Sequence, residues 1–194
     1  MYNQNVIVFD TSDKYVAAAI YRGEENITTN IESMSKGQAE RLIPLLDELL
    51  HRSRLNWDDI YRIGVCTGPG NFTGIRISVS AARGLAFGLS IPAVGISSFE
   101  ATLYGSNEND LALLPANKGF YFIGSNPKNA KFASENTVES MNTNFIQKSK
   151  PETLLKNIAM LTQEKEQNFN LPTPCYVKPV DASPNPKNKP QLLK

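Results

Sequence analysis

The chain has 194 residues, of which 41% are hydrophobic and 20% charged, a composition typical of a soluble globule with one large domain or two small lobes. Its formal net charge of +1 argues against strong autonomous binding to nucleic acids. Two cysteines and a single histidine exclude a disulfide framework and a His-x-x-x-His metal pair. No apolar run approaches the roughly 18 residues of a membrane span, and no signal peptide is recognisable. We therefore expect a cytoplasmic protein without a metal or other cofactor.

The beginning of the chain predicts three short strands. Apolar residues 6–9 form the first, and residues 15–21 and 27–31 alternate in polarity as a second and a third. Asp10, Thr11 and Ser12 separate the first two strands. Since these residue types favour turns, a simple Asx-type turn is one interpretation of this segment.

Residues 38–53 form the clearest predicted helix. Its apolar residues cover close to half of the circumference, whereas a helix that faces one core needs only about 100°. The excess predicts either contact with a second body or deep burial within one chain. His51, in the last turn, suits the helix dipole and is interpreted as a surface cap rather than a catalyst. The apolar set is Ala39, Leu42, Ile43, Leu45, Leu46, Leu49 and Leu50.

A predicted strand at residues 61–66 leads into a loop that contains three glycines and a proline. A helix over residues 75–89 follows. Such a loop makes a tight strand-to-helix turn whose free N–H groups can hold an anion or an acidic group of a partner. Its spacing matches neither the Walker loop nor the dinucleotide fingerprint, so a purely structural turn remains an alternative. The loop consists of Gly68, Pro69, Gly70, Asn71, Phe72, Thr73 and Gly74.

Arg76 lies in the first turn of this helix, where a cation faces the positive end of the helix dipole. This costs about 0.3–1 kcal/mol, so we expect a carboxylate, a cluster of carbonyls, a phosphate or a partner chain to compensate it. Residues 81–88 are apolar nearly all round, which predicts a helix sandwiched between two layers.

The remaining chain is predicted in less detail. A strand over residues 90–96 precedes a capping box, Ser97 to Glu100, which opens a short helix. Polar residues 107–110 mark the expected boundary between lobes, and a hairpin follows over residues 111–123. Weak patterns suggest strands around Val138 and Phe145, and Pro151 begins a helix that extends to Gln163. Residues 172–177 suggest an edge strand. The predicted units are a first lobe at residues 1–106, a shortened second lobe at 107–178 and a disordered tail at 179–194.

Residues 68–77 closely resemble the Gly-Pro-Gly-Ser-Phe-Thr-Gly-x-Arg-x signature of the TsaB (YeaZ) family, and the resemblance extends from Val6 to about Phe122. It implies an α/β fold of the actin-like ATPase (ASKHA) type with two lobes, the second reduced. In that fold the turn at residues 10–12 lies under the phosphates of a nucleotide. Relatives carry Ile-Asp-Ala-Arg at the start of the hairpin, whereas this chain has Leu114-Pro115-Ala116-Asn117, so the turn is interpreted as vestigial.

The resemblance implies a non-catalytic subunit that supports the TsaD-type enzyme, which transfers a threonylcarbamoyl group to adenosine in tRNA. A TsaE-type ATPase would be a further partner, and for the isolated chain a homodimer and a monomer both remain open. The expected partner interface consists of Leu42, Leu45, Leu46 and Leu49 with Arg76 and Arg83 as polar anchors.

Two other functions remain open. The first is a small-molecule kinase or ATPase of the same fold, which would need Asp10 as a magnesium-binding carboxylate and a second Gly-rich loop that is not apparent. The second is a peptidase-like accessory enzyme. It is disfavoured because no nucleophile–base pair is evident.

Overall fold

A computed structural model describes residues 4–117, 119–165 and 171–177. The first of its two sheets has the strand order β3-β2-β1-β4-β5. β1 pairs antiparallel with β2 and parallel with β4, so the sheet begins as a meander and continues as a parallel unit. The strands are β1 (Asn5–Asp10), β2 (Tyr15–Arg22), β3 (Glu25–Ser33), β4 (Ile60–Cys66) and β5 (Ala93–Ile96).

Helices cover both faces of the first sheet. Helices α1 (Gln38–Arg52) and α2 (Phe72–Leu89) lie on one face, and α5 (Pro151–Glu164) lies on the other. The alternation of side chains along a strand explains this arrangement. Ile7 and Phe9 of β1 point into the core with α1 and α2, whereas Val6 and Val8 point into the core with α5. The predicted α/β architecture is confirmed.

The second sheet has the strand order β8-β7-β6-β9. The predicted hairpin is confirmed, with Leu114 opposite Phe122, and so is a strand at Phe145. The predicted strand around Val138 is wrong, because Ser134 accepts a hydrogen bond from the Thr137 N–H and starts a short helix there. The elements are β6 (Leu111–Pro115), β7 (Phe120–Gly124), β8 (Lys131–Ser134), α4 (Glu135–Glu139) and β9 (Phe145–Gln147).

Helix α5 follows the second sheet in the chain but packs in the core of the first sheet. It belongs in chain order to the predicted second lobe, yet its buried residues Leu154, Leu155 and Ile158 pack on the first sheet. Arg62 of β4 fixes its end by donating hydrogen bonds from Nη1 to the carbonyls of Thr162 at 3.0 Å and Lys165 at 2.8 Å.

Helix α3 (Ser98–Leu103) lies between α5 and the second sheet, and the predicted capping box at its start is confirmed. The boundary near residue 106 stays a prediction, and residues 179–194 lie outside the described residues. Within the three described ranges, no helix is both long and apolar enough to cross a membrane.

Candidate functional site

The leucines predicted to form the partner interface lie in the core. Leu42 is 1% exposed and Leu45, Leu46 and Leu49 are 0% exposed, because α1 sits in the angle between the first sheet and α2. The prediction that they contact a partner is therefore wrong. The wide apolar stripe of α1 reflects the alternative interpretation, deep burial within one chain.

Exposed or half-buried apolar residues and glycines nevertheless lie on α1 and α2. We call the surface that they form the helical face and define it by Ile43 of α1 and by Ile77, Gly84, Phe87 and Gly88 of α2. Ile43 is 40% exposed and Phe87 is 88% exposed. A Cβ atom added at Gly84 or Gly88 would meet no atom within 4 Å. The chain itself therefore supplies only one side of the sandwich predicted for α2.

The loop at residues 68–74 interlocks with the turn at residues 10–12. The Asn71 side chain accepts a hydrogen bond from the Gly74 N–H at 2.8 Å, so the helix begins at Phe72, three residues earlier than predicted. The Asn71 N–H donates to the Ser12 carbonyl at 2.7 Å, and Thr11 Oγ1 donates to the Gly74 carbonyl at 2.6 Å. The Asn71 and Gly74 N–H groups thus have partners within the chain.

Gly68 and Gly74 are both required by the geometry of this loop. Gly68 has a φ of 89°, in the left-handed region that favours glycine. A Cβ atom on Gly74 would lie 1.8 Å from the Thr11 carbonyl oxygen, a distance far too short for two non-bonded atoms. The close approach of α2 to the turn thus depends on this position.

The Asp10 carboxylate is fully buried and hydrogen-bonded within the chain. Oδ1 accepts from the Ser12 N–H at 2.7 Å, and Oδ2 accepts from the Tyr15 hydroxyl at 2.6 Å. Burial and then the charge of Asp10 raise the pKa of Tyr15 far above its usual range, so Tyr15 stays a donor. An Asp10 carboxylate held in this way faces the interior, not a cleft where it would bind magnesium.

Cys66 is the buried thiol nearest to this turn. Its Sγ lies 3.3 Å from Ser98 Oγ and 3.7 Å from Ser12 Oγ. Burial, followed by the charge of Asp10, raises the pKa of Cys66 to about 12, so the thiol is protonated and a poor nucleophile. His51 lies on the surface at the end of α1. Across the described part of the chain, no three His, Cys, Asp or Glu side chains form a metal-binding group.

Aromatic side chains contact the positive charge of Arg76, and such groups were not among those expected to compensate it. Its guanidinium lies 3.8 Å from the centre of the Phe72 ring, and Nε donates to the Tyr176 hydroxyl at 2.8 Å. The Cys175 N–H donates to the Thr67 carbonyl at 2.8 Å, which holds residues 171–177 against the loop. These residues form no strand, so the predicted edge strand is wrong.

A cleft of about 550 Å³ separates the loop and turn from the second sheet. Lys148, which follows β9, crosses it and forms an ion pair with Asp13 at 2.8 Å. Burial alone would raise the pKa of Asp13, but the hydrogen bond and charge of Lys148 outweigh it and lower that pKa. No sequence pattern marks Lys148, and the sequence analysis missed it. The cleft is lined by Ser12, Asp13, Lys14, Gly70, Asn71, Pro115, Ala116, Asn117, Phe120, Phe122, Phe132 and Lys148.

Comparison with known proteins identifies the family. The model of the TsaD family, described as tRNA N6-adenosine threonylcarbamoyltransferase, matches residues 25–184. The tRNA threonylcarbamoyladenosine biosynthesis protein TsaB of Haemophilus influenzae is 35% identical over 103 residues, which are 52% of this chain and 42% of the relative. The chain belongs to the TsaB (YeaZ) group of this family.

One further relative and one solved structure are also similar to this chain. TsaB of Bacillus subtilis is 30% identical over 122 residues, which are 61% of this chain and 53% of the relative. The structure of YeaZ from Pseudomonas aeruginosa superposes with a TM-score of 0.66 at 19% identity, covering 89% of this chain and 99% of that one. That likeness shows the fold, which is the fold that the resemblance to the TsaB (YeaZ) family implied. The chain spans about half the length of the curated relatives it matches.

Proposed function

We propose that this chain is a non-catalytic subunit in the formation of threonylcarbamoyladenosine in tRNA. In this role it binds and supports a TsaD-type catalytic subunit in the cytoplasm, with a TsaE-type ATPase as a further partner. The proposal rests on the family and on the names of the TsaB relatives. When the catalytic subunit is absent, the surface that would bind it is proposed to pair with a second copy of the chain.

The observation that carries the proposal is the helical face. Burying a phenylalanine stabilises an association by about 1.5–3 kcal/mol, and Phe87 is 88% exposed. An exposed glycine within a helix costs about 0.5–1 kcal/mol relative to alanine. A Cβ atom at Gly84 or Gly88 would meet no atom of the chain within 4 Å, so packing within the chain does not require glycine at either position.

The spacing of these glycines suits a partner helix. Gly84 and Gly88 are four positions apart, so both lie on one side of α2 and allow another helix to approach closely. Arg76 and Arg83 are exposed on the same helix and are proposed as polar anchors at the rim of the contact. Rim charges steer association more than they add affinity.

Two buried side chains favour an accessory role for this chain over a catalytic one. Asp10 is hydrogen-bonded in the interior, and Cys66 is a buried, protonated thiol. No observation among the described residues favours the kinase alternative or the peptidase-like one. The chemistry is therefore assigned to the partner.

The experiment measures binding of the purified chain to the TsaD-type subunit of the same organism by titration calorimetry. Phe87→Asp and Gly84→Leu should each weaken binding at least tenfold, because one places a charge and the other a bulky side chain in the contact. Leu171→Asp is the control, since Leu171 is also exposed, at 49%, but lies outside α1 and α2. Unchanged affinity in both α2 variants would refute the interface, and absence of binding by the wild-type chain would refute the function.

A further inference from the structure

We propose that the cleft between the loop and the second sheet binds a small aromatic molecule that carries one anionic group, such as a carboxylate. The inference concerns a different surface from the helical face and does not depend on the partner proposed above. It rests on an aromatic wall, a largely buried cation and a volume that together define the ligand.

The wall is formed by phenylalanines on one face of the second sheet. Phe120 and Phe122 are two residues apart on β7 and therefore share a face, and Phe132 of β8 lies opposite Phe122. The rings of Phe120 and Phe132 stack at 4.8 Å with an interplanar angle of 4°. Each of these two side chains is 37% exposed, and both line the cleft. A flat ring fits beside such a pair better than an aliphatic group.

The cation is Lys148. Its side chain is 16% exposed, and its Nζ donates to Asp13 Oδ2 at 2.8 Å. Burial alone would lower the pKa of Lys148, but the charges of Asp10 and Asp13 and the hydrogen bond to Asp13 raise it. An ammonium group has three N–H donors, and Asp13 takes one. Lys14 also lines the cleft, so two cationic side chains are available there to an anionic ligand.

The same residues indicate how many negative charges the ligand carries. A magnesium-bound triphosphate needs carboxylates that face the cleft. Asp10 instead bonds to Ser12 and Tyr15 in the interior, and Asp13 is engaged by Lys148. A volume of about 550 Å³ suits a small organic molecule. The favoured ligand is therefore an aromatic monoanion rather than a nucleoside triphosphate.

The test uses 2-naphthoate as the probe and measures its affinity for the full chain by titration calorimetry. We expect saturable 1:1 binding. 2-Naphthamide, which lacks the charge, and cyclohexanecarboxylate, which lacks the aromatic ring, should each bind about tenfold or more weakly. A hydrogen bond to a charged group and an aromatic stack are each strong enough to produce a difference of that order.

Matched variants locate the site. Lys148→Met and Phe120→Ala should each weaken 2-naphthoate binding about tenfold. The controls Lys131→Met and Tyr121→Ala alter neighbouring residues of β8 and β7 that do not line the cleft and should leave the affinity unchanged. Thermal melting of each variant verifies folding, and Phe120→Ala serves alone if Lys148→Met is unfolded.

Three results would overturn the inference. The first is no saturable binding of 2-naphthoate at millimolar concentration. The second is binding that is insensitive to the cleft variants or equally sensitive to the controls. The third is displacement of 2-naphthoate by a more tightly bound magnesium–ATP, which would make the cleft a nucleotide site.

Discussion

Two glycines of the same helix should respond in opposite ways to one substitution. In Gly74→Ala the new Cβ would lie 1.8 Å from the Thr11 carbonyl oxygen, about 1.6 Å short of the 3.4 Å at which ordinary contact begins. Overpacking costs about 1–3 kcal/mol, and displacement of the helix start weakens the Asn71 cap and the Thr11 hydrogen bond by about 1 kcal/mol each. Alanine is a better helix former than glycine by about 1 kcal/mol, which offsets part of this cost. The free energy of unfolding should therefore fall by about 2–4 kcal/mol.

The matched variant is Gly84→Ala. Because its Cβ would meet no atom within 4 Å, the same change should stabilise the chain by about 0.5–1 kcal/mol. Urea unfolding is measured for both variants through the fluorescence of Trp57, which packs against the core and is the single tryptophan. A Gly74→Ala variant as stable as wild type would refute the close approach. Equal destabilisation by both variants would show that glycine in α2 matters for another reason.

Three further predictions concern the buried turn and the cleft. Tyr15→Phe removes the hydroxyl donor to buried Asp10 and should lower stability by about 1–3 kcal/mol; Tyr104→Phe, whose hydroxyl bond is exposed, should be nearly neutral in the same urea assay. Because the pKa of Asp13 is lowered on folding, its ion pair stabilises above the unfolded pKa of about 3.9. Asp13→Asn should therefore lower the free energy of unfolding by at most about 1 kcal/mol at pH 7. In urea unfolding at progressively lower pH, the difference between this variant and wild type should disappear. The purified chain should hydrolyse neither ATP nor GTP; steady turnover abolished by Asp10→Ala would contradict this.

The sequence could predict those features that depend on neighbouring residues. The capping box at Ser97 and Glu100 and the helix that begins at Pro151 involve contacts within one turn, so their residue types identify them. The wide stripe of α1 predicted a second body, and the interpretation of that body as a partner is wrong. Periodicity reports only that a side is covered, however, and in this fold the second body is α2 of the same chain.

The parts that sequence reasoning missed involve distant residues. Arg76 and Tyr176 are 100 positions apart, and Lys148 and Asp13 are 135 apart. A single cation in a loop carries no periodicity that would reveal such a partner. The start of α2 was placed too late, because Asn71 was assigned only to the loop although its side chain also caps the helix.

The position of α5 has a practical consequence for anyone who wishes to divide this protein. A fragment that ends at residue 106 would retain every strand of the first sheet but lose the helix that covers Val6, Val8, Ala17 and Ala19. That face would then be exposed to water in the fragment and would favour aggregation. The two predicted lobes should therefore be expressed as one polypeptide, and limited proteolysis near residue 106 should yield pieces that stay associated.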